Sequence, residues 1–490
     1  MPVIDRRTFL KGAAATGGAA ALSGGAFAGF IARVAAANEV DLGPLGAVAD
    51  QRDGIVRLHL PEGFNYRSFH DTDVVTPIVL DDGTTLRGRH DGMGAFVGSG
   101  GNTILIRNHE INGPGPAIAP AISYDTMAQG GCTTTVVDAF GEVQQAWTSL
   151  SGTQMNCAGG QMPWGAWITC EETVNGPDVG PDFTGVSNVP LTQRHGFIFE
   201  VPTDGVSDAE PVTSAGRFPH EAVAFDPDEG ILYLTEDNFA FPSGFYRYIP
   251  PTNPMLTGHL DNGGVLEMLR VVGTPNAHLE AGQTAGATYP VDWVPIDDPN
   301  PTFPYTPGVS APTLNDTALT HVGNQGRAQG AAGFSRLEGQ NFDRGVVYFT
   351  STQGGGAAET GPELTSGYGN GTGQVWAYRP ADRTLTCVFQ SSGPAALELP
   401  DNVTTSPRGT IILCEDGPVE NYIRGLTRSG QLFNIALNQL RRNAPPNAPR
   451  FGEEFAGSTF SRNGKTLYVN IQASQGISFA IWGNWQKHGV

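Results

Sequence analysis

Cysteine is scarce. Five residues occur in a chain of 490, at 132, 157, 170, 387 and 414. So few thiols exclude a disulfide framework, and the odd number leaves at least one unpaired. Basic residues are also short, 28 Lys and Arg against 48 Asp and Glu, for a formal net charge of -20. That sign excludes nucleic acid as a partner, because a phosphate backbone needs a basic face. Beyond the first 37 residues no apolar run approaches the length of a membrane-spanning helix. No G-x-S-x-G nucleophile motif occurs, and neither His-Glu pair has the second histidine of a zinc helix. With 39% hydrophobic and 16% charged residues, the chain still has the material for a folded core.

The N-terminus reads as an export signal. Arg6-Arg7 is followed by Thr8-Phe9-Leu10-Lys11, then by a weakly apolar Ala/Gly stretch from Gly12 to Ala32, and Ala35-Ala36-Ala37 supplies small residues for cleavage. The pair is preceded by Asp5 where a Ser or Thr is usual. Arg33 and the many glycines make a stable membrane anchor unfavourable, so residues 1–37 form a twin-arginine signal peptide. The mature protein then begins near Asn38 and is periplasmic or secreted. Its expected partner during export is the twin-arginine translocase, a pathway that carries chains already folded and often already loaded with metal.

Glycine (66) and proline (36) are abundant, and they punctuate short β-like runs. Six of these runs share one phrase: a turn, an apolar strand, then a polar or acidic end. They are Thr103–Arg107 before Asn108-His109-Glu110, Ala166–Thr169 before Cys170-Glu171-Glu172, and Ile231–Thr235 before Glu236-Asp237-Asn238. The others are Val346–Phe349 before Thr350-Ser351-Thr352, Thr410–Leu413 before Cys414-Glu415-Asp416, and Lys465–Val469 before Asn470-Ile471-Gln472. Six similar units at irregular spacing fit an all-β fold, a six-bladed β-propeller with long loop insertions and a few short helices. The stretch 251–330 breaks the pattern and reads as a capping insertion, with helix near Asn315–Ala332. Equivalent strand ends meet at one face of a propeller, where clustered carboxylates need cations between them.

Several residues stand near such ends. Cys157 sits in a tight, glycine-flanked loop, Asn156-Cys157-Ala158-Gly159-Gly160, which suits close approach to a ligand, whereas Cys170 and Cys414 lie inside apolar strands as core thiols. Glu221 follows His220. Arg336 and Glu338, two apart on an extended segment, point the same way, either as a local ion pair or as an anion contact beside a metal ligand. Asp401 and Glu454 each introduce a later strand phrase.

At these residues the chain resembles the PhoX family of bacterial alkaline phosphatases. The matching pieces are NCAGG (156–160), PWGAWITCEE (163–172), PHEAVAFDP (219–227), YLTED (233–237), RLEG (336–339), PDN (400–402) and EFAG (454–457), in order along most of the mature chain. The resemblance implies a six-bladed propeller and a cluster of two ferric ions with two or three calcium ions joined by an oxo bridge. Carried over by motif, the ligands are Cys157, Glu172, Glu221, Asp237, Glu338, Asp401 and Glu454, and Arg336 contacts phosphate. The function implied is hydrolysis of small phosphomonoesters. CEDG at 414–417 and HEAV at 220–223 depart from the longer family members. A calcium-dependent lactonase or esterase, and a non-catalytic calcium-stabilised propeller, are the rival readings. The lactonase needs only oxygen ligands, and the binding module leaves Cys157 purely structural.

Overall fold

The computed structural model describes residues 40, 42–363, 366–443 and 447–490. The signal segment expected at 1–37, with Arg6-Arg7, lies outside the described residues.

Strands dominate. Three come first, β1 (Leu45–Ala49), β2 (Val56–Pro61) and β3 (Asn65–Phe69). A four-stranded sheet follows: β4 (His90–Val97), β5 (Thr103–His109), β6 (Gly130–Val137) and β7 (Val143–Thr153). The next sheet holds β8 (Asn156–Met162), β9 (Ala166–Glu171) and β10 (Ile198–Pro202). Then come β11 (His220–Asp226), β12 (Ile231–Glu236), β13 (Phe245–Ile249), β14 (Val265–Val271) and β15 (Thr288–Pro295). A further set is β16 (Leu337–Asp343), β17 (Val346–Ser351), β18 (Gln374–Arg379) and β19 (Thr384–Gln390). Two more are β20 (Pro400–Thr405), β21 (Ile411–Glu415), β22 (Tyr422–Leu426) and β23 (Leu432–Asn438), and β24 (Phe455–Phe460), β25 (Thr466–Ile471) and β26 (Ile477–Trp482).

The six runs legible in the sequence are the second strands β5, β9, β12, β17, β21 and β25. Their β-branched and aromatic residues suit a pleated, buried surface; Ile231–Glu236 and Thr466–Ile471 are buried at every position. Each is paired antiparallel to a first strand before it, and the first strands pack side by side in a closed order: β4 on β8, then β11, β16, β20, β24 and back to β4. This is a propeller-like arrangement.

Hydrogen bonding divides the strands into five sheets rather than six. The reason is β15, which pairs with β14 along one edge and with β19 along the other, from Thr288↔Thr386 to Pro290↔Thr384, and so joins two sets into nine strands. The 251–330 stretch therefore contributes β14 and β15 as well as loop. Its helices are α1 (Pro254–Thr257), α2 (Asn315–Leu319) and α3 (His321–Ala328); the helix expected near Asn315–Ala332 is present in two pieces.

The ring is sealed from the N-terminal side. β3 adds to β26 with Tyr66 opposite Ile481, and the β1–β2 hairpin adds to β23. Apolar side chains fill the spaces between neighbouring units of the ring. Phe245 of β13 stacks on Phe349 of β17 at 4.4 Å between ring centroids, both fully buried; truncating either to Ala costs on the order of 3–5 kcal/mol.

Candidate metal centre at the strand ends

All six first strands carry a β-bulge at the same end. The ladder slips between His90 and Met93, Asn156 and Gly159, His220 and Val223, Leu337 and Gln340, Pro400 and Val403, and Ala456 and Thr459. A bulge inserts an unpaired residue and re-aims its side chain. The residues so placed are Asp91, Cys157, Glu221, Glu338, Asp401 and Gly457. The sequence suggests a loop for Cys157; it lies instead at the bulge of β8. Its glycines serve close packing, since a Cβ at Gly159 would sit 2.0 Å from the Ile168 carbonyl oxygen.

A second repeated contact fixes the strand ends. The backbone N–H that leaves each second strand donates to the carbonyl just before its first strand: Glu110 to Arg89, Glu172 to Met155, Asp237 to Pro219, Thr352 to Arg336, Asp416 to Leu399 and Gln472 to Glu454, at 2.9–3.1 Å. Four of those acceptors, Arg89, Met155, Arg336 and Leu399, have left-handed φ of 41–48°. Such strain in non-glycine residues clusters at functional sites. In the sixth unit the bulge comes one residue later, so glycine stands at it and the carboxylate comes from Glu454.

These tiers converge. Cys157, Glu172 and Glu221 bring one ligand atom each within 4.8 Å of one another; so do Glu221, Glu338 and Asp401, and so do Asp401, Asp416 and Glu454. Glu221 and Asp401 are each shared, so the three groups form one continuous row. Six of the seven expected ligands belong to it. Asp237 stands beside it, paired with Arg336 through Nη2–Oδ2 at 2.9 Å and Nε–Oδ1 at 3.2 Å. Arg336 also lies 3.0 Å from Glu338 Oε1, with its guanidinium over the Phe239 ring at 5.4 Å.

Electrostatics at this end are under tension. Burial, then Glu338, Asp401 and Glu172, push the Glu221 carboxyl well above its ordinary range. Burial and neighbouring carboxylates do the same to Glu172, Glu338 and Glu454. Burial, with Asp91 and Asp416, raises Asp401 to about 8. Burial opposes the charge on Arg336, yet Asp237 and Glu338 hold it firmly protonated. Cys157 Sγ lies 3.2 Å from the His220 carbonyl, and burial with Glu221 and Glu172 pushes its thiol up. Carboxylates this crowded cannot all ionise unless cations lie between them. Hard oxygen donors around one thiolate suit calcium beside a softer transition metal.

Three residues at this end are absent from the sequence-based set. Asp416 completes the third group, and it follows β21 at the offset Glu172 and Asp237 have after their own strands. Asp91 holds the bulge position of β4; its Oδ2 accepts from Gln472 Nε2 at 2.9 Å, while Oδ1 is buried with no hydrogen-bond partner among the described residues. Burial raises it to about 6. Glu110 also accepts from Gln472, at 2.6 Å, and pairs with Arg89. The repeated offset from the second strands points to Asp416 and Glu110; Asp91, on a first strand, has no such signal.

Three comparisons bear on the chain. The structure of Pseudomonas fluorescens PhoX in complex with vanadate, a transition state analogue, is similar with a TM-score of 0.61 and 16% identity, over 91% of this chain and 98% of that one. A gluconolactonase of Xanthomonas campestris (TM-score 0.39, 10% identity, 90% and 99% covered) and virginiamycin B lyase of Staphylococcus aureus (0.37, 11%, 86% and 99%) are more distant. No curated protein sequence matches the chain. A twin-arginine translocation signal model matches residues 3–23, which marks the chain for export to the periplasm or beyond. The model for alkaline phosphatase PhoX matches residues 43–475, most of the chain, so this protein belongs to the PhoX alkaline phosphatase family.

Proposed function

We propose that this protein is an exported, metal-dependent phosphomonoesterase whose centre is the row of ligand groups from Cys157 to Glu454. The observation that carries the reading is that row, with Arg336 standing over it. In this reading Cys157, Glu172, Glu221, Asp237, Glu338, Asp401 and Glu454 hold two ferric and two or three calcium ions, with Asp416 as a further oxygen donor. When bound, these ions supply Lewis-acid charge to a phosphoryl group and a nucleophile near neutral pH. Arg336 orients the phosphate oxygens with its planar fork of donors. Asp237 and Glu338 hold that fork in place and keep it charged. Phe239 covers one guanidinium face and limits water there.

Six blades are part of the same reading. The β15–β19 junction spans only three residue pairs, so β11–β15 and β16–β19 count as two blades. The 251–330 stretch then widens the third blade, and its α2–α3 helices cap one face. Vanadate, bound in the Pseudomonas fluorescens structure, mimics a phosphoryl transition state. It supports phosphate over other esters.

The test is hydrolysis of an aryl phosphate at alkaline pH by the mature protein. Activity should vanish with a calcium chelator and return with calcium. Hydrolysis of lactones but not phosphates would move the assignment to a calcium-dependent lactonase, which has no use for the thiol in the first ligand group. No hydrolysis of any ester would leave a binding propeller.

A further inference from the structure

Arg89 holds in the first unit the place that Arg336 holds in the fourth, halfway around the ring of first strands. Each immediately precedes its first strand and is left-handed, with φ of 48° and 41°. Each gives its carbonyl to the residue leaving the second strand, Glu110 or Thr352, at 3.0 Å. Each guanidinium is then steadied by an acid at a second-strand end: Arg89 by Glu110 of its own unit, Arg336 by Asp237 of the unit before. Left-handed φ is costly for any residue but glycine. Its repetition here aims two cations at one acidic mouth.

Arg89 is placed to meet a solute. Its side chain is 39% exposed, against 17% for Arg336. Nε donates to the Glu110 carbonyl at 2.9 Å and Nη2 to the Glu110 carboxylate; Nη1 makes no hydrogen bond among the described residues. Through Gln472, which donates to both Glu110 and Asp91, Arg89 is tied to the bulge of β4 at the same end of the ring.

We propose that Arg89 is a second guanidinium contact for the tetrahedral oxyanion of the substrate, gripping it across the ring from Arg336. This rests on the phosphomonoesterase reading. Two planar forks on opposite sides fix an anion's orientation and position more tightly than one alone. The opposing possibility is that Arg89 only offsets the charge of Glu110 and Asp91.

The experiment uses the mature, calcium-saturated protein with an aryl phosphate as substrate and vanadate as inhibitor. Arg89→Ala should raise both KM and the vanadate inhibition constant about tenfold or more, at unchanged calcium requirement. Arg89→Lys, which keeps the charge but loses the fork, should fall between Arg89→Ala and the wild type. Unchanged vanadate inhibition in Arg89→Ala would overturn the proposal; so would weakening that tracks a changed calcium requirement. Should Arg89→Ala not fold, Arg89→Lys decides alone: an inhibition constant equal to the wild type's sinks the idea. A wild type that hydrolyses no phosphate and ignores vanadate removes the phosphomonoesterase reading, and this one with it.

Discussion

Two buried thiols lie across the β8–β9 ladder from each other in one apolar cluster, and one of them also joins a ligand group. Cys170 lies opposite the β8 bulge, fully enclosed in the core that also holds Ile168, Ile198 and Leu234. Cys157, on the bulge itself, shares its space with Glu172 and Glu221. Cys157→Ser should therefore remove the visible thiolate-to-iron absorption and most of the iron from purified protein, since a neutral hydroxyl is a poor substitute for a soft anion. Cys170→Ser should keep both and cost about 1–3 kcal/mol of stability for an unmatched hydroxyl. An iron assay and a visible spectrum on both variants decide it; a colourless wild type, or full iron in Cys157→Ser, contradicts the assignment. Asp416 supports a parallel expectation. Asp416→Asn should raise the calcium needed to restore activity after chelation about tenfold, with iron unchanged, because its ligand group shares no residue with that of Cys157. Equal calcium titrations for variant and wild type would deny Asp416 a ligand's role.

At the scale of elements, a buried polar knot locks β9 beside the site. Glu171 accepts from the backbone N–H groups of Gln154, Gly196 and Phe197, and from His195 Nδ1 at 2.6 Å. The far nitrogen of His195 lies 3.5 Å from Asp125. Burial opposes the imidazolium, but Glu171 and Asp125 raise it to about 9. The folded state therefore holds a proton that the unfolded chain releases near pH 6.5. Its stabilisation, about 3 kcal/mol, is complete below pH 6.5 and is lost as pH rises to 9. Calcium-saturated wild type should lose Tm over that window, and His195→Asn should show a flatter profile from a lower start. Parallel profiles would contradict the charge on His195.

The same elements explain what could be read beforehand. Second strands such as Ile231–Glu236 carry an apolar run between a turn and a polar end, so all six stand out in the sequence. First strands do not. His90–Val97 and Asn156–Met162 are rich in Gly and Ala because their backbones nearly touch at the axis: a Cβ on Gly92 would lie 2.6 Å from Ala158 Cα. Their bulges also break the period of two that marks a strand, so Asp91 gives no local signal. Asp416 was legible by offset alone. The β15–β19 pairing joins residues almost a hundred positions apart, and no local pattern encodes it.

For the whole molecule, closure depends on the first described strands. Leu58, Leu60, Phe64 and Tyr66 are buried against the units that contain β23 and β26. Burial of each is worth about 1.5–3 kcal/mol, and together they rival the 5–15 kcal/mol that typically separates a folded protein from its unfolded chain. Deleting residues 43–69 should yield protein without near-ultraviolet circular dichroism or cooperative melting at room temperature. A truncated form with a sharp melt close to that of the full chain would show that the ring stands without them.

That seam also sets an order in time. Tyr66 leaves the ribosome long before Ile481, its partner across the ladder, and Glu454 is the last of the ligand groups to emerge. Neither the ring nor the row of ligands can be finished while the chain is still being made. A chain whose ring has not closed keeps the β1–β2 hairpin and β3 undocked, a few dozen residues along the chain from the twin-arginine motif. The address for export thus sits next to the part of the fold completed last, and a translocase that accepts only compact cargo meets the evidence of completion beside the signal it reads.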